Sequence, residues 1–328
     1  MRAYANTEYG PPEVIKVVEL PKPDPRPNDV LIKIHATTVS SGDWRARSLT
    51  ASPGMGLIMR LVFGVFGPRK QVLGTELSGV IDAVGDEVTR IEAGQEVVGF
   101  PGGSSFGAYA EYVLMSESGN IVPKPKNLSF EEAAAICFGG TAAYDFLNNK
   151  GKLKAGDNVL VNGASGSTGT ACVQIAKHFG AEVTGVCCAG NTDLVRSIGA
   201  DHVINYKSRE FTKEDAGYNI VVDNAGTARW SRVRHILKPK GRLIIISGSL
   251  LDVLFGGFHA RLGGRRVIGG VSSESSEVVR NVVEIATSGG LHPVIDQTYG
   301  FDQMAEAHRY IDTGRKRGNV VVALNSDR

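Results

Sequence analysis

The chain opens with short runs that mix β-branched and polar residues, Val14 to Leu20 and Val30 to Ile34, separated by Pro21, Pro23, Pro25 and Pro27. Such runs, punctuated by proline, predict strands joined by a stiff connection. The texture returns at Val72 to Val84, Glu96 to Phe100 and Ala108 to Leu114, with turns at Gly85-Asp86 and Gly94-Gln95, so the first third reads as a compact β domain. After Pro123 and Pro125 the pattern changes. Ser129-Phe130-Glu131-Glu132 ahead of an alanine-rich run predicts a helix that Ser129 caps and Glu132 closes as a capping box. Strand and helix patterns then alternate: Val159 to Asn162, Thr170 to Phe179, Glu182 to Cys187, Thr192 to Ile198, His202 to Tyr206, Ile220 to Asp223 and Arg242 to Ser247. That alternation predicts an α/β fold with a doubly wound parallel sheet. A helix over Asp302 to Thr313 and a strand over Asn319 to Leu324 close the chain, and the strand is expected to pair back with the first domain.

At 328 residues the chain exceeds what one core usually serves, and two domains are expected. Hydrophobic residues make up 42% and charged residues 21%, an ordinary globular composition that argues against disorder and repeats. The formal charge of +2, with acids and bases interspersed, provides no stripe of the kind nucleic-acid binding needs. No signal-peptide pattern follows Met1, so a cytoplasmic location is the expectation. Cys137, Cys172, Cys187 and Cys188 lie among apolar neighbours and read as reduced thiols. The oily stretch Met55 to Phe66, broken by Gly56, Arg60 and Gly64, is too short to span a bilayer. It reads as a lid, a pocket wall or, less readily, a surface that touches membrane. None of the seven histidines stands at metal-ligand spacing.

The chemistry centres on Val159-Leu160-Val161-Asn162-Gly163-Ala164-Ser165-Gly166-Ser167-Thr168-Gly169. An apolar strand enters a glycine turn and a helix follows, which directs backbone N–H groups and the positive end of the helix dipole at the place of a pyrophosphate. Ala164 stands where the usual Gly-x-Gly-x-x-Gly has its first glycine. Asn224-Ala225-Gly226 and Ser247-Gly248-Ser249 sit at or just beyond carboxyl ends of predicted parallel strands, the edge where such sheets bind ligands. An acid usually chelates the ribose hydroxyls at the end of the second strand, but the sequence there reads Cys187-Cys188-Ala189-Gly190-Asn191-Thr192, with no acid before Asp193. That removes repulsion against a 2′-phosphate and points to NADPH, with Asn191, Thr192 and Arg196 as donors and Tyr206 over the adenine.

Leu73-Gly74-Thr75-Glu76-Leu77-Ser78-Gly79-Val80, Gly94-Gln95-Glu96-Val97-Val98-Gly99, Gly140-Thr141-Ala142-Ala143-Tyr144, the glycine turn, and Ile198-Gly199-Ala200-Asp201-His202-Val203-Ile204 occur in an order that resembles the medium-chain dehydrogenase/reductase superfamily. The resemblance is strongest to its zinc-independent quinone oxidoreductase branch and covers essentially the whole chain. It implies a GroES-like β-rich catalytic domain at 1–124 and 273–328 and a Rossmann domain at 125–272, with a cleft between them. It also implies a homodimer joined through Rossmann edge strands, for which Val267-Ile268-Gly269-Gly270-Val271 is the candidate.

Catalytic zinc in the alcohol dehydrogenase branch needs a cysteine, a histidine and a second cysteine; the first two matching positions hold Ser40 and Thr75, and Cys137 falls near the third. Two hydroxyls and one thiol are a poor zinc set, so no metal is expected. Without a Lewis acid, quinones and α,β-unsaturated carbonyls are the acceptors that fit best, because their negative charge delocalises onto oxygen. The matching family segment faces nicotinamide and substrate, so Ser40 is expected to hold the carboxamide, and Asp43 and Arg45 to orient substrate or relay protons. An aspartate there can equally cap the next turn, with Arg45 as its ion-pair partner. Thr141 is expected either at the carboxamide or as a helix cap. Asn319 is placed at the cofactor as the tail returns; Arg315-Lys316-Arg317 has the alternative of assisting at the phosphates but reads more readily as a solvated turn. Trp44, Met55, Met59, Phe63 and Phe106 are candidates for an apolar substrate wall, within pocket segments 55–66 and 250–266. The expected function is NADPH-dependent reduction of a quinone or enone. Alternatives are alcohol or aldehyde oxidoreduction and a non-catalytic NADPH-binding interaction protein.

Overall fold

The computed structural model describes residues 1–51, 56–213, 217–248, 260–261 and 263–324. Its centre is a six-stranded parallel sheet in the spatial order His202–Asn205, Glu182–Cys187, Asn158–Asn162, Tyr218–Asp223, Leu237–Ile245 and Arg266–Gly269. Val159, Leu160 and Val161 are sealed on both faces, as are Ile220, Val221 and Val222, which is why these strands read as continuous apolar runs. The first strand in sequence, Asn158–Asn162, lies between the second and the fourth, so the strand order reverses on either side of it. In doubly wound sheets a ligand crevice opens at such a switch point.

The second sheet has seven strands. Asp29–Thr38 is its axis, pairing antiparallel with Leu77–Val84, with Tyr112–Ser116 and with Asn319–Ala323. The closing strand therefore does return to the first domain, running parallel to Ile295–Gly300 on its other side. Arg2–Ala5 and Lys16–Glu19 form a separate ribbon. Strand patterning placed Ala108 to Leu114 and Val72 to Val84 early at both sites: the observed strands begin at Tyr112 and Leu77.

The Ser129 capping box forms, but its helix ends at Ala134 and a second helix starts at Cys137. The helix expected from Thr170 begins earlier, at Ser167, and the tail helix is Met304–Asp312 behind a short 3-10 turn. Helix Ser276–Thr287 buries Val279, Val282 and Val283 in the same core as Val159 and Val161. All four cysteines are free thiols. Among the described residues, no helix is long and apolar enough to cross a membrane.

Candidate active site

A cleft of about 580 Å³ is walled by helix and loop residues that adjoin strands of both sheets. On the parallel-sheet side, strand Asn158–Asn162 ends at Gly163, whose φ of +77° is open to glycine at little cost. The Gly163 and Ala164 N–H groups donate to the Val186 carbonyl at 3.1 and 3.0 Å, which pins the turn to the neighbouring strand. A Cβ on Gly169 would stand 2.1 Å from the Gly163 carbonyl oxygen, so the helix packs directly on the turn. Ala164, in the place of the usual first glycine, is fully buried. Helix Ser167–His178 starts after Gly166 with no side-chain cap. Its first N–H groups are left for a ligand. Gly163, Gly166, Ser167, Thr168 and Gly169 line the cleft, and this uncapped, glycine-rich cradle fits a pyrophosphate.

Beside it, Asp223 organises the loop that follows its strand. Its carboxylate accepts from Asn162 Nδ2 at 2.8 Å, from the Ala225 and Gly226 N–H groups at 3.2 and 3.0 Å, and from Ala228 N–H at 2.7 Å. This draws Asn224 to the cleft and sets Ala225 against Gly163. Ser247 also lines the cleft, Gly248 follows it, and Ser249 lies outside the described residues, as do Met55 and positions 250–259. At the other end of the turn, Asn191 Nδ2 donates to Ser165 Oγ at 2.9 Å. Tyr206 is 54% exposed, and its N–H is tied to the Cys187 carbonyl at 3.1 Å. It stands off the cleft, near the strand end where an adenine cover was expected.

The tail comes closer than its charge run suggested. Gly318 N–H donates to the Ser165 carbonyl at 2.8 Å and Ser167 Oγ donates to Asn319 Oδ1 at 2.5 Å. Lys316 turns into the cleft, its Nζ on the Gly318 carbonyl at 2.6 Å, and burial pushes its pKa down to about 8. Arg315 stays exposed and Arg317 pairs with Asp296 at 3.7 Å, so the solvated-turn reading is corrected for Lys316 alone.

The opposite wall carries the main correction. Ser40 and Asp43 form a capping box on helix Ser41–Ser48 and, unlike Ser41 and Gly42, do not line the cleft. Ser40 Oγ accepts from the Gly42 and Asp43 N–H groups, both at 3.1 Å, and donates to Asp43 Oδ2 at 2.6 Å. Asp43 also accepts from Ser40 N–H at 2.9 Å and Gly74 N–H at 3.1 Å. The carboxyl is fully enclosed, and burial raises its pKa to about 6 against the pull of those donors. Arg45, on the same helix, does face the cleft, half-buried and, among the described residues, with no ion-pair partner; it does not pair with Asp43. Thr141 lines the cleft from the middle of helix Cys137–Tyr144, not at a cap. Trp44, Phe63, Phe106, Phe138 and Phe146 make the wall apolar.

Ser40 Oγ and Thr75 Oγ1 stand 3.4 Å apart. Among the described residues, no three His, Cys, Asp or Glu gather as a metal-ligand set. Sequence patterning missed Glu76, which ties the two domains: it accepts from Thr38 Oγ1 at 2.5 Å and from Phe138 N–H at 2.6 Å. Burial drives its pKa up to about 7. Glu274 was missed as well; it lines the cleft with its Oε1 on Gly103 N–H at 3.3 Å.

Comparison with known proteins agrees with this architecture. Residues 26–126 match the family model described as alcohol dehydrogenase GroES-like domain, and residues 198–322 match the one described as zinc-binding dehydrogenase. The chain is 30% identical to human quinone oxidoreductase, covering 99% of this chain and 98% of that one. It is also 30% identical to tomato 2-methylene-furan-3-one reductase, over 98% of this chain and 79% of the other. Among solved structures, the quinone oxidoreductase of Coxiella burnetii superposes with a TM-score of 0.85 at 26% identity, covering 99% of each chain. An NAD-dependent alcohol dehydrogenase superposes with a TM-score of 0.85 at 30% identity, over 99% of this chain and 100% of that one. The chain belongs to the medium-chain dehydrogenase/reductase superfamily, in its quinone oxidoreductase-like branch. It is an oxidoreductase that uses a nicotinamide cofactor, NAD(P)H.

Proposed function

We propose that the protein is an NADPH-dependent reductase that works without a metal and delivers hydride to quinones or α,β-unsaturated carbonyls. The observation that carries this reading is the donor set on the catalytic wall. Ser40 and Thr75 offer hydroxyls, and Cys137 is fully buried with its thiol pushed well above the ordinary value. Zinc would need thiolates and imidazole at these positions. Preference for NADPH is supported by Asn191 on Ser165, with Asp193 the first acid after the strand and within 3.8 Å of Arg196.

When bound, the dihydronicotinamide supplies a hydride to the acceptor. The turn from Gly163 to Gly169 holds the pyrophosphate, Ser165 and Asn191 the ribose side, and Thr141, Asn224, Ala225, Ser247, Gly248 and Asn319 the remainder. Arg45 faces the acceptor's oxygen as negative charge develops there, and its guanidinium stabilises that charge. The aromatic wall orients a flat acceptor, so positioning supplies most of the rate. A solvent proton completes reduction: hydride and proton together convert a quinone to a hydroquinone, or an enone to its saturated carbonyl. The packing of helix Ser276–Thr287 moves one boundary in our proposed division, with 1–124 and the residues beyond that helix forming the GroES-like unit. Strand Arg266–Gly269, at the sheet edge, is our proposed homodimer seam.

The alcohol dehydrogenase among the structural relatives favours a second reading, alcohol or aldehyde oxidoreduction. One experiment separates the two: NADPH and NADH oxidation measured across quinones, enones and aldehydes, with metal content determined on the same untagged sample. NADPH consumption with quinones or enones in metal-free protein is the expected result. Turnover confined to aldehydes or alcohols in zinc-loaded protein overturns it, and NADPH binding without consumption makes the chain a nucleotide-binding interaction protein.

A further inference from the structure

Helix Gly56–Phe63 turns an apolar face outward. Leu57, Ile58, Leu61 and Val62 are 73%, 43%, 55% and 57% exposed, and Val65 and Phe66 extend the same crest, with Phe66 standing fully in solvent. Met59 and Phe63, one helical turn apart, face inward, and Phe63 joins the cleft wall. A surface helix normally buries its apolar stripe and wets the other face. Here the face toward solvent is as apolar as the face toward the protein, and a contiguous crest of that kind marks an interaction surface.

The charges around the crest select its partner. From Trp44 to Thr75 the chain contains Arg45, Arg47, Arg60, Arg69 and Lys70 and no acid. Arg60, Arg69 and Lys70 are exposed at the crest. Among the described residues, the Arg60 and Arg69 guanidinium groups reach only backbone carbonyls, of Val65 at 3.2 Å and Val62 at 3.5 Å. Among the described residues none of these three cations has an ion-pair partner. Thr7 abuts Gly67 and so brings Glu8 alongside, which leaves the cations in excess. Two copies of such a surface would repel each other. Apolar side chains ringed by unpaired cations instead match a lipid surface that has acyl chains below and phosphates above.

We propose that the crest from Leu57 to Phe66 is a docking surface for an anionic lipid bilayer, with Leu57, Leu61 and Phe66 inserted among the acyl chains and Arg60, Arg69 and Lys70 at the lipid phosphates. Because Phe63 lies on the cleft side of the same helix, the docked bilayer would sit about one helix diameter, roughly 10 Å, from the cleft wall.

The test is co-sedimentation of the full chain with vesicles of phosphatidylcholine alone and of equal parts phosphatidylcholine and phosphatidylglycerol, at low and at molar salt. The expected result is binding to the anionic vesicles, release at high salt, and weakening of about tenfold or more in L61S/F66S. Arg60→Gln should weaken binding less, and only to the anionic vesicles. Far-UV circular dichroism, and turnover of a water-soluble quinone in solution, should be unchanged in L61S/F66S, which separates loss of docking from loss of fold or activity. Absence of vesicle binding overturns the proposal, as does binding that the L61S/F66S change leaves intact. Sedimentation equilibrium showing a dimer that the same variant dissolves would also overturn it, by assigning the crest to a second copy.

Discussion

Replacing Glu76 by glutamine should flatten one component of the protein's pH-dependent stability. The side chain is 1% exposed and sits between the Thr38 hydroxyl and the Phe138 N–H. Glutamine has the same shape, can accept from Phe138 through its oxygen and donate to a reoriented Thr38 hydroxyl, and carries no charge. Burial lifts the glutamate from an ordinary 4.5 to about 7 in the folded protein. Between those values the folded state holds a proton that the unfolded chain has released, so stability declines as pH rises through the interval. At about 1.4 kcal/mol per pH unit the loss amounts to about 3 kcal/mol. Asp43, with its pKa raised to about 6, adds a decline of the same sign. His308, buried and held neutral, works in the opposite direction, because the unfolded chain gains its proton as pH falls. Both belong to wild type and variant alike and largely cancel in the difference between them. Urea midpoints at intervals from pH 4.5 to 8 should therefore show wild type losing about 3 kcal/mol more than E76Q. Parallel curves would refute a raised Glu76.

Three further outcomes follow from the site. Gly169→Ala, whose methyl would stand 2.1 Å from the Gly163 oxygen, must push the helix off the turn and should weaken NADPH binding about tenfold or more by fluorescence titration; unchanged affinity would remove the turn from the cofactor site. Asn191→Asp places a carboxylate beside Ser165 and should shift the ratio of kcat/KM from NADPH toward NADH by about tenfold, whereas an unaltered ratio would count against the ribose assignment. Asp43→Asn replaces an acceptor of Ser40 and Gly74 with a partial donor and should cost about 2–4 kcal/mol in urea unfolding. A stable variant with abolished turnover would instead restore a direct catalytic role to Asp43.

Periodicity carries information about faces, and it placed five of the six parallel strands, the glycine turn and the returning tail close to where they lie, while the edge strand at Arg266–Gly269 came from the family resemblance. Contacts between segments distant in sequence carry no such signal. Ser40 and Asp43 show the division. The spacing Ser-x-x-Asp before a helix is a legible cap, but the family position drew them toward chemistry, and their burial away from the cleft carried no signal in the sequence. Lys316 failed differently: flanked by Arg315 and Arg317, it looks like any solvated cation, and the bond to Gly318 that bends it into the cleft depends on a strand set by distant pairing. The break at Ala135 was hidden by the alanine run, which favours helix throughout while Glu76 claims the Phe138 N–H from outside. Arg45 was readable as a residue of interest, although its place on the cleft wall away from Asp43 was not.

The two hydrogen bonds joining the last strand to the glycine turn, Gly318 to Ser165 and Ser167 to Asn319, act as a fulcrum. Any rocking of one sheet against the other would strain this pair together with the Glu76 contact to Phe138 N–H. Opening the cleft at its Phe63 and Glu274 end would therefore cost the Glu274 contact to Gly103 N–H, while its phosphate end keeps its width as long as the Gly318 pair holds. A cofactor seated there would be gripped by the same two bonds that seat the end of the chain, so its pocket is closed by the last strand of the chain.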